Sequence, residues 1–309
     1  MGFIFSLSAV VIFAAIPIVI NILVSDLDPL STSFMRLVIS SVILFIFAGL
    51  SSGFRLPERR DSSTISLVLL AAAALTFNYI TFAGSLMYIS PTVSQVEGQL
   101  APLFLIAGSI YFFNERISTG QMLGFALIIT GLGIFFVPHL SGIVVEYNID
   151  NLVKGAALMF AACIFWAFNG LILKKLISVM DGLRLLFLIC LGSSIFLFPF
   201  VKITPLFALD MRSYFLLFLA ANLTVFGYLS LTTAFTYWEG SRVGAVLSLI
   251  PLVTAVASGT ISTHSPDLIT NDHRISTLSF IGIVVVVTGS ICTSVLKESN
   301  TGRIRQIEQ

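Results

Sequence analysis

Residues 77–88 read FNYITFAGSLMY, and residues 226–237 read FGYLSLTTAFTY. Phe77, Tyr79 and Tyr88 return as Phe226, Tyr228 and Tyr237, at an offset of 149. The same offset carries Pro102 in LAPL onto Pro251 in LIPL, and Ser109 onto Ser258. Farther on, LGFALIITG at 123–131 matches IGIVVVVTG at 281–289, with the offset grown to 158. Nine extra residues therefore sit before the last apolar run, within THSPDLITNDHRIS. Several matches in one order mark an internal duplication.

The duplicated unit belongs in a membrane. Of 309 residues, 57% are apolar and 10% charged, against roughly a quarter charged in a soluble domain. Mean hydropathy is +1.03. A net charge of +1 with this hydropathy excludes a disordered chain and leaves no basic face for nucleic acid. Apolar runs last about 20 residues, the length of a spanning helix, where a barrel would alternate over about ten. They give ten helices, at 3–24, 31–50, 65–88, 92–113, 119–138, 154–175, 183–201, 213–236, 241–262 and 277–296. The opening Met1-Gly2-Phe3 runs straight into the first of these, so neither a lipid anchor nor a cleaved leader is expected. Cys163, Cys190 and Cys292 lie inside apolar runs as packing residues, and His139, His264 and His273 fall in loops without ligand spacing. No metal and no cofactor is expected.

Sidedness follows from the basic residues. With both termini cytoplasmic, eleven Lys and Arg, including Arg55, Arg59, Arg60, Arg116, Lys174 and Lys175, fall on the inner side, against four outside. The expected location is a cell (inner) membrane. Two repeats result: residues 1–138 and 154–298, joined by an extracytoplasmic linker at 139–153 and followed by a cytoplasmic tail at 299–309. Five helices per repeat is an odd number, so the second copy enters the membrane inverted, the architecture of many secondary transporters.

The chain resembles the drug/metabolite transporter superfamily, specifically its EamA-type ten-helix members. The likeness is carried by Ser90-Pro91, by Leu100-Ala101-Pro102-Leu103, by Asn114-Glu115-Arg116-Ile117-Ser118 and by Gly124, in that order. It implies paired five-helix repeats, a proline in the fourth helix, and an acidic residue ending that helix. It also implies small organic substrates such as amino acids or related metabolites, often exported. Glu115-Arg116 lies at a cytoplasmic helix end and resembles the family's terminal acidic position; it is expected to stabilise a closed inner gate rather than touch the solute. The second repeat keeps Pro251 and Gly282 but has no acidic counterpart of Glu115, so no role transfers there.

Well inside the spans, away from their ends, only Arg36 and Glu97 are formal charges, and such groups face a cavity or a partner. Each lies about five residues into a helix running inward, roughly 8 Å below the outer boundary at ~1.5 Å per residue. An Arg36–Glu97 ion pair, a joint site for a zwitterion, and a snorkelling Arg36 are the open readings. On the wheel of helix 4, Val93, Val96, Leu100, Leu103 and Ala107 form a face for lipid or an apolar neighbour. Ser94, Gln95, Glu97, Gly98, Gln99, Ala101 and Pro102 form one that looks inward. Pro102 interrupts the helix and frees a carbonyl near mid-membrane; Pro251 does the same near Ser248. Paired interruptions point to a central site. Asn78, Tyr79, Tyr228, Trp166 and Asn169 join Gln95, Glu97, Gln99 and Ser248 as candidate solute contacts, though buried Asn also simply joins helices.

The expected function is secondary transport of a small metabolite by alternating access, with efflux of an amino acid or a related neutral or zwitterionic solute leading. Proton coupling through Glu97, whose ionised form is costly away from water, stands beside exchange or facilitated diffusion. A lipid-linked substrate flippase and a nucleotide-sugar-type exchanger are the alternatives. There is no P-loop and no convergent nucleophile–base cluster for an enzyme. Monomer and homodimer are both open.

Overall fold

A computed structural model describes residues 1–52, 62–113, 117–140, 149–177, 179–202, 206, 209–238, 240–265, 268–269 and 276–296, and every regular element among them is helical. The helices are α1 (Gly2–Asp26), α2 (Pro29–Ser52), α3 (Ser62–Ser85), α4 (Pro91–Glu97), α5 (Leu100–Phe113) and α6 (Thr119–Leu140). The second repeat supplies α7 (Ile149–Leu176), α8 (Gly182–Leu197), α9 (Met211–Tyr237), α10 (Gly240–Leu247), α11 (Ile250–His264) and α12 (Thr277–Val295). Among the described residues, nine candidate spans are long and apolar enough to cross a bilayer, with α10 and α11 running together from Arg242 to His264. The tenth crossing is the pair α4–α5, whose Gln95, Glu97 and Gln99 lower its hydropathy. Helix starts are set by short polar caps: Ser90 accepts from the Val93 amide at 3.2 Å, Asp210 from Ser213 at 2.9 Å and Ser276 from Ser279 at 3.0 Å.

The fourth and ninth spans, expected to be interrupted at Pro102 and Pro251, are each broken in two. A proline ring clashes with the carbonyl four residues earlier, here that of Gly98 for Pro102 and of Leu247 for Pro251. Both interruptions fall there, upstream of the prolines, with α4 ending at Glu97 and α10 at Leu247. The Gly98 carbonyl is not left free as expected: the Ala101 amide donates to it at 3.0 Å. His139, expected in a loop, lies in the last turn of α6, buried, with its Nδ1 3.0 Å from the Phe135 carbonyl. Glu115, Arg116, His273 and the tail lie outside the described residues.

Packing repeats with the sequence. α3 lies along α7, and their counterparts α9 and α1 lie along each other in the same way. α6 and α12, the last helices of the two repeats, make the most extensive contact. One core joins α1, α2, α3, α8 and α9; a second joins α4, α6, α7, α11 and α12. Large apolar side chains such as Phe3, Phe45, Ile65, Phe215 and Val256 are exposed, an arrangement suited to lipid tails.

Both described ends share one face. Gly2 packs on the Trp238 ring, Gly244 at the start of the ninth span faces Ser294, and the Ser118 hydroxyl donates to the Leu296 carbonyl. Met1 and Leu296 thus lie on the same side, as an even number of crossings requires.

Candidate functional site

The site is built on one stripe of α7. Residues three and four apart share a helix face, and Ala162, Cys163 and Asn169 on this stripe are 1%, 1% and 6% exposed. Trp166 stands among them, yet is 40% exposed. A large ring left open on an otherwise buried face is a candidate wall for an internal space. Tyr228 of α9 lies against the Trp166 indole and within electrostatic reach of Arg36. Its ring meets that of Phe13 edge-on, with centroids 5.6 Å apart. Repeat-related Tyr79 is buried, and the Ser33 hydroxyl donates to its carbonyl at 3.1 Å.

Arg36 and Glu97 do not form the expected pair. Arg36 is 6% exposed, so it does not snorkel either. Its Nε donates to Thr224 Oγ1 at 2.9 Å, and its guanidinium lies 4.3 Å from the centre of the Tyr79 ring. That cation–π contact and hydrogen bond hold the side chain between α2, α3 and α9. Glu97 closes α4 on the other core, where the Cys163 thiol meets its backbone carbonyl at 3.7 Å. Its Oε2 is buried and has no hydrogen-bond partner among the described residues. The two charges lie at similar depth, seven and six residues from the starts of α2 and α4, but different helices claim them.

The remaining candidates divide. Gln99, at the α4–α5 break, accepts from the Ser290 hydroxyl of α12 at 2.7 Å. Ser248, at the α10–α11 break, turns back to the Gly244 carbonyl at 2.9 Å. Gln95 is half-buried, and Val93 and Val96 lie in the second core, so α4 is enclosed on both faces with an apolar neighbour rather than lipid. Asn78 and Asn169 take the structural alternative. Asn78 Nδ2 donates to the Ala162 carbonyl at 2.8 Å, and Asn169 Nδ2 donates to the Ala71 carbonyl at 2.9 Å. The two bonds are reciprocal across the antiparallel α3–α7 pair. Asn78→Ala and Asn169→Ala should each lower the thermal stability of the purified protein by about 0.6 kcal/mol, up to about 1.7. Transport by either variant should stay near wild type; a selective rise in KM would instead make that amide a solute ligand.

Thr224 and Ser290 escaped the sequence reading. Thr224 sits four residues before Tyr228, on the same face of α9, so the helical period could have found it. Ser290 carries no comparable signal, because only the approach of α12 to the α4–α5 break gives it a role.

The two ends of the site differ. Away from the Met1 face, α4 packs on α11 and α1. Toward that face, among the described residues, the other halves of the two broken helices, α5 and α10, make no comparable contact; α5 lies on α7, and α10 on α12 and α1. The halves of the molecule are thus related in fold but not in posture, closed at one end and parted at the other.

The family model of the EamA-like transporter family matches residues 1–137 and again residues 153–295. A protein of Escherichia coli (strain K12) named "Uncharacterized inner membrane transporter YhbE" is 28% identical over 297 residues, 95% of this chain and 91% of that one. An "Uncharacterized transporter" of Haemophilus influenzae is 25% identical over 96% of this chain and 95% of its own. A protein of Escherichia coli (strain K12) named "Probable amino-acid metabolite efflux pump" is 25% identical over 73% of this chain and 76% of its own. A solved crystal structure superposes with a TM-score of 0.61 at 12% identity, covering 100% of this chain and 99% of that one, a likeness of fold.

Proposed function

Because the chain belongs to the EamA-like transporter family, we propose that it is a secondary transporter moving a small amino acid or related neutral or zwitterionic solute across the cytoplasmic membrane, chiefly outward. The observation that carries this reading is Trp166, open on an otherwise buried helix face beside Tyr228, which supplies an aromatic-walled chamber between the repeats. Two oppositely threaded halves with interrupted helices give such a chamber two nearly equivalent packings, one open to each side. Both termini are assigned to the cytoplasm by the bias of basic residues. The similar protein named for amino-acid metabolite efflux favours that solute class and direction.

The test is flux. Cells overproducing the protein should show lower internal levels of one class of amino-acid metabolite than cells lacking it. Proteoliposomes preloaded with that metabolite should then accumulate its labelled form by counterflow. No counterflow by any metabolite whose level changes would remove the transporter reading. A proton-coupled cycle has one observation in its favour, the buried and unpartnered Oε2 of Glu97. Net efflux should then vary with internal pH in the wild type and lose that dependence in E97Q, while exchange continues.

A further inference from the structure

We propose that Arg36 is the specificity-determining residue and that it reads a carboxylate on the solute. The inference rests on the transporter reading and narrows it to solutes that carry this group. Arg36 is a permanent cation in the interior of a membrane helix bundle, where a charge without a counter-charge is strongly disfavoured. Its surroundings supply only part of what it needs. Nε is used by Thr224, and one face of the guanidinium is covered by Tyr79. Tyr79, Tyr228 and Cys190 lie in its electrostatic neighbourhood, and none of these is a carboxylate. Among the described residues no acid stands within ion-pair distance, and Glu97 belongs to the other core.

The terminal nitrogens Nη1 and Nη2 take no protein hydrogen bond among the described residues, and neither is sealed away as a buried unpartnered atom. That leaves the end-on edge of the guanidinium unclaimed by protein groups among the described residues, and this is the edge that grips a carboxylate through two parallel N–H···O bonds. Thr224 and Tyr79 fix the plane of the fork, so little freedom is lost on binding. Tyr228 connects this fork to Trp166. A solute whose carboxylate meets Arg36 therefore lays its remaining atoms along Tyr228 and Trp166, rings that suit an apolar side group or an amino group over the aromatic face. One cation with one open edge matches a monoanionic group.

The chain has two tryptophans, Trp166 and Trp238, so W238F leaves Trp166 as the only one and as a reporter beside the site. Full-length W238F protein in nanodiscs is titrated with the common L-amino acids and, pair by pair, with their carboxamides, while Trp166 emission is followed. One or more free acids should perturb the emission, and the matching carboxamides should bind about 10- to 100-fold more weakly, the range for hydrogen bonds to a charged group. R36Q should abolish the preference for acid over amide. R36K should keep the preference at about tenfold lower affinity, because a point charge replaces the fork. T224V, which frees the guanidinium plane, should fall between wild type and R36K. Amides binding as well as acids would overturn the proposal, and so would no acid response in the wild type. Unchanged acid affinity in folded R36Q, or tighter binding of O-phosphoethanolamine than of any amino acid, would overturn it too. If R36Q does not fold, R36K and T224V decide by the same comparison. Counterflow of a solute without a carboxylate would sink the Arg36 assignment yet leave transport intact; absence of all flux would sink the transporter reading itself.

Discussion

Gly282→Leu is expected to yield no folded, monodisperse protein. A Cβ at Gly282 would stand 2.6 Å from the Phe135 amide nitrogen and 2.7 Å from its Cα. These are backbone atoms of α6, and they cannot swing aside. The same holds along the seam: Gly289 faces the Gly124 carbonyl at 2.7 Å, and Gly131 faces the Val286 nitrogen at 2.7 Å. Gly124 and Gly131, like Gly282 and Gly289, are seven residues apart, two turns of helix, so four glycines interlock α6 with α12. In lipid the approach of two helices has no hydrophobic drive and depends on close contact. Any added side chain must part the most extensive helix pair in the molecule. Alanine at any one of the four should lower thermal stability by about 1–3 kcal/mol, read by melting and size-exclusion of purified protein. Gly133, on the same α6, has nothing within 4 Å of its would-be Cβ and is exposed. Gly133→Ala should be neutral or stabilise by up to about 1 kcal/mol. If Gly282→Leu purified with the wild-type melting profile, the close approach of α6 and α12 would be wrong.

Those glycines show what a sequence can and cannot convey. LGFALIITG and IGIVVVVTG are visible as copies of one segment, but nothing in either copy says that they pack on each other. Hydropathy likewise measures the length of an apolar run and not its continuity. Spans four and nine were therefore legible as crossings and their prolines as interruptions, while the position of each break, four residues upstream, follows from the carbonyls that Pro102 and Pro251 displace. The depths of Arg36 and Glu97 could be counted along the chain, because rise per residue is constant. Their partners could not, since which way a helix faces is set by its neighbours. α2 turns Arg36 onto Tyr79 and Thr224, while α4 carries Glu97 into another core. Asn78 and Asn169 are the same lesson in reverse. Residue type suggested a solute ligand, and antiparallel packing of α3 on α7 engages the amide nitrogen of each with a backbone carbonyl. Trp166, a candidate from the sequence, could equally be an ordinary membrane aromatic until the burial of its neighbours gives its exposure a meaning.

Trp166→Cys should react with a membrane-impermeant thiol reagent from one side only. At one end of the chamber α4 packs against α11 and α1, and at the other α5 and α10 are parted. The parted end is the one that carries Met1, Trp238 and Leu296. Reagent should therefore enter from the face of the termini, which the basic residues assign to the cytoplasm. With Cys163, Cys190 and Cys292 replaced by alanine, inside-out vesicles should label at least about tenfold faster than right-side-out vesicles, as for an opposite-facing state populated at 10% or less. Exposure by itself does not produce this result. Val256 on α11 is 62% exposed, more than Trp166 at 40%, but its surface faces away from the core, where lipid would cover it. Thiol reagents attack the thiolate, which forms in water and not in hydrocarbon. Val256→Cys should therefore stay unlabelled from either side. Equal, slow labelling of both variants would mean that Trp166 borders lipid and that there is no chamber beside it. Faster labelling of Trp166→Cys from the opposite face would reverse either the orientation or the open end. Accessibility of Met1 to an impermeant amine reagent in the same vesicles tells these two apart, because it reports orientation without passing through the chamber.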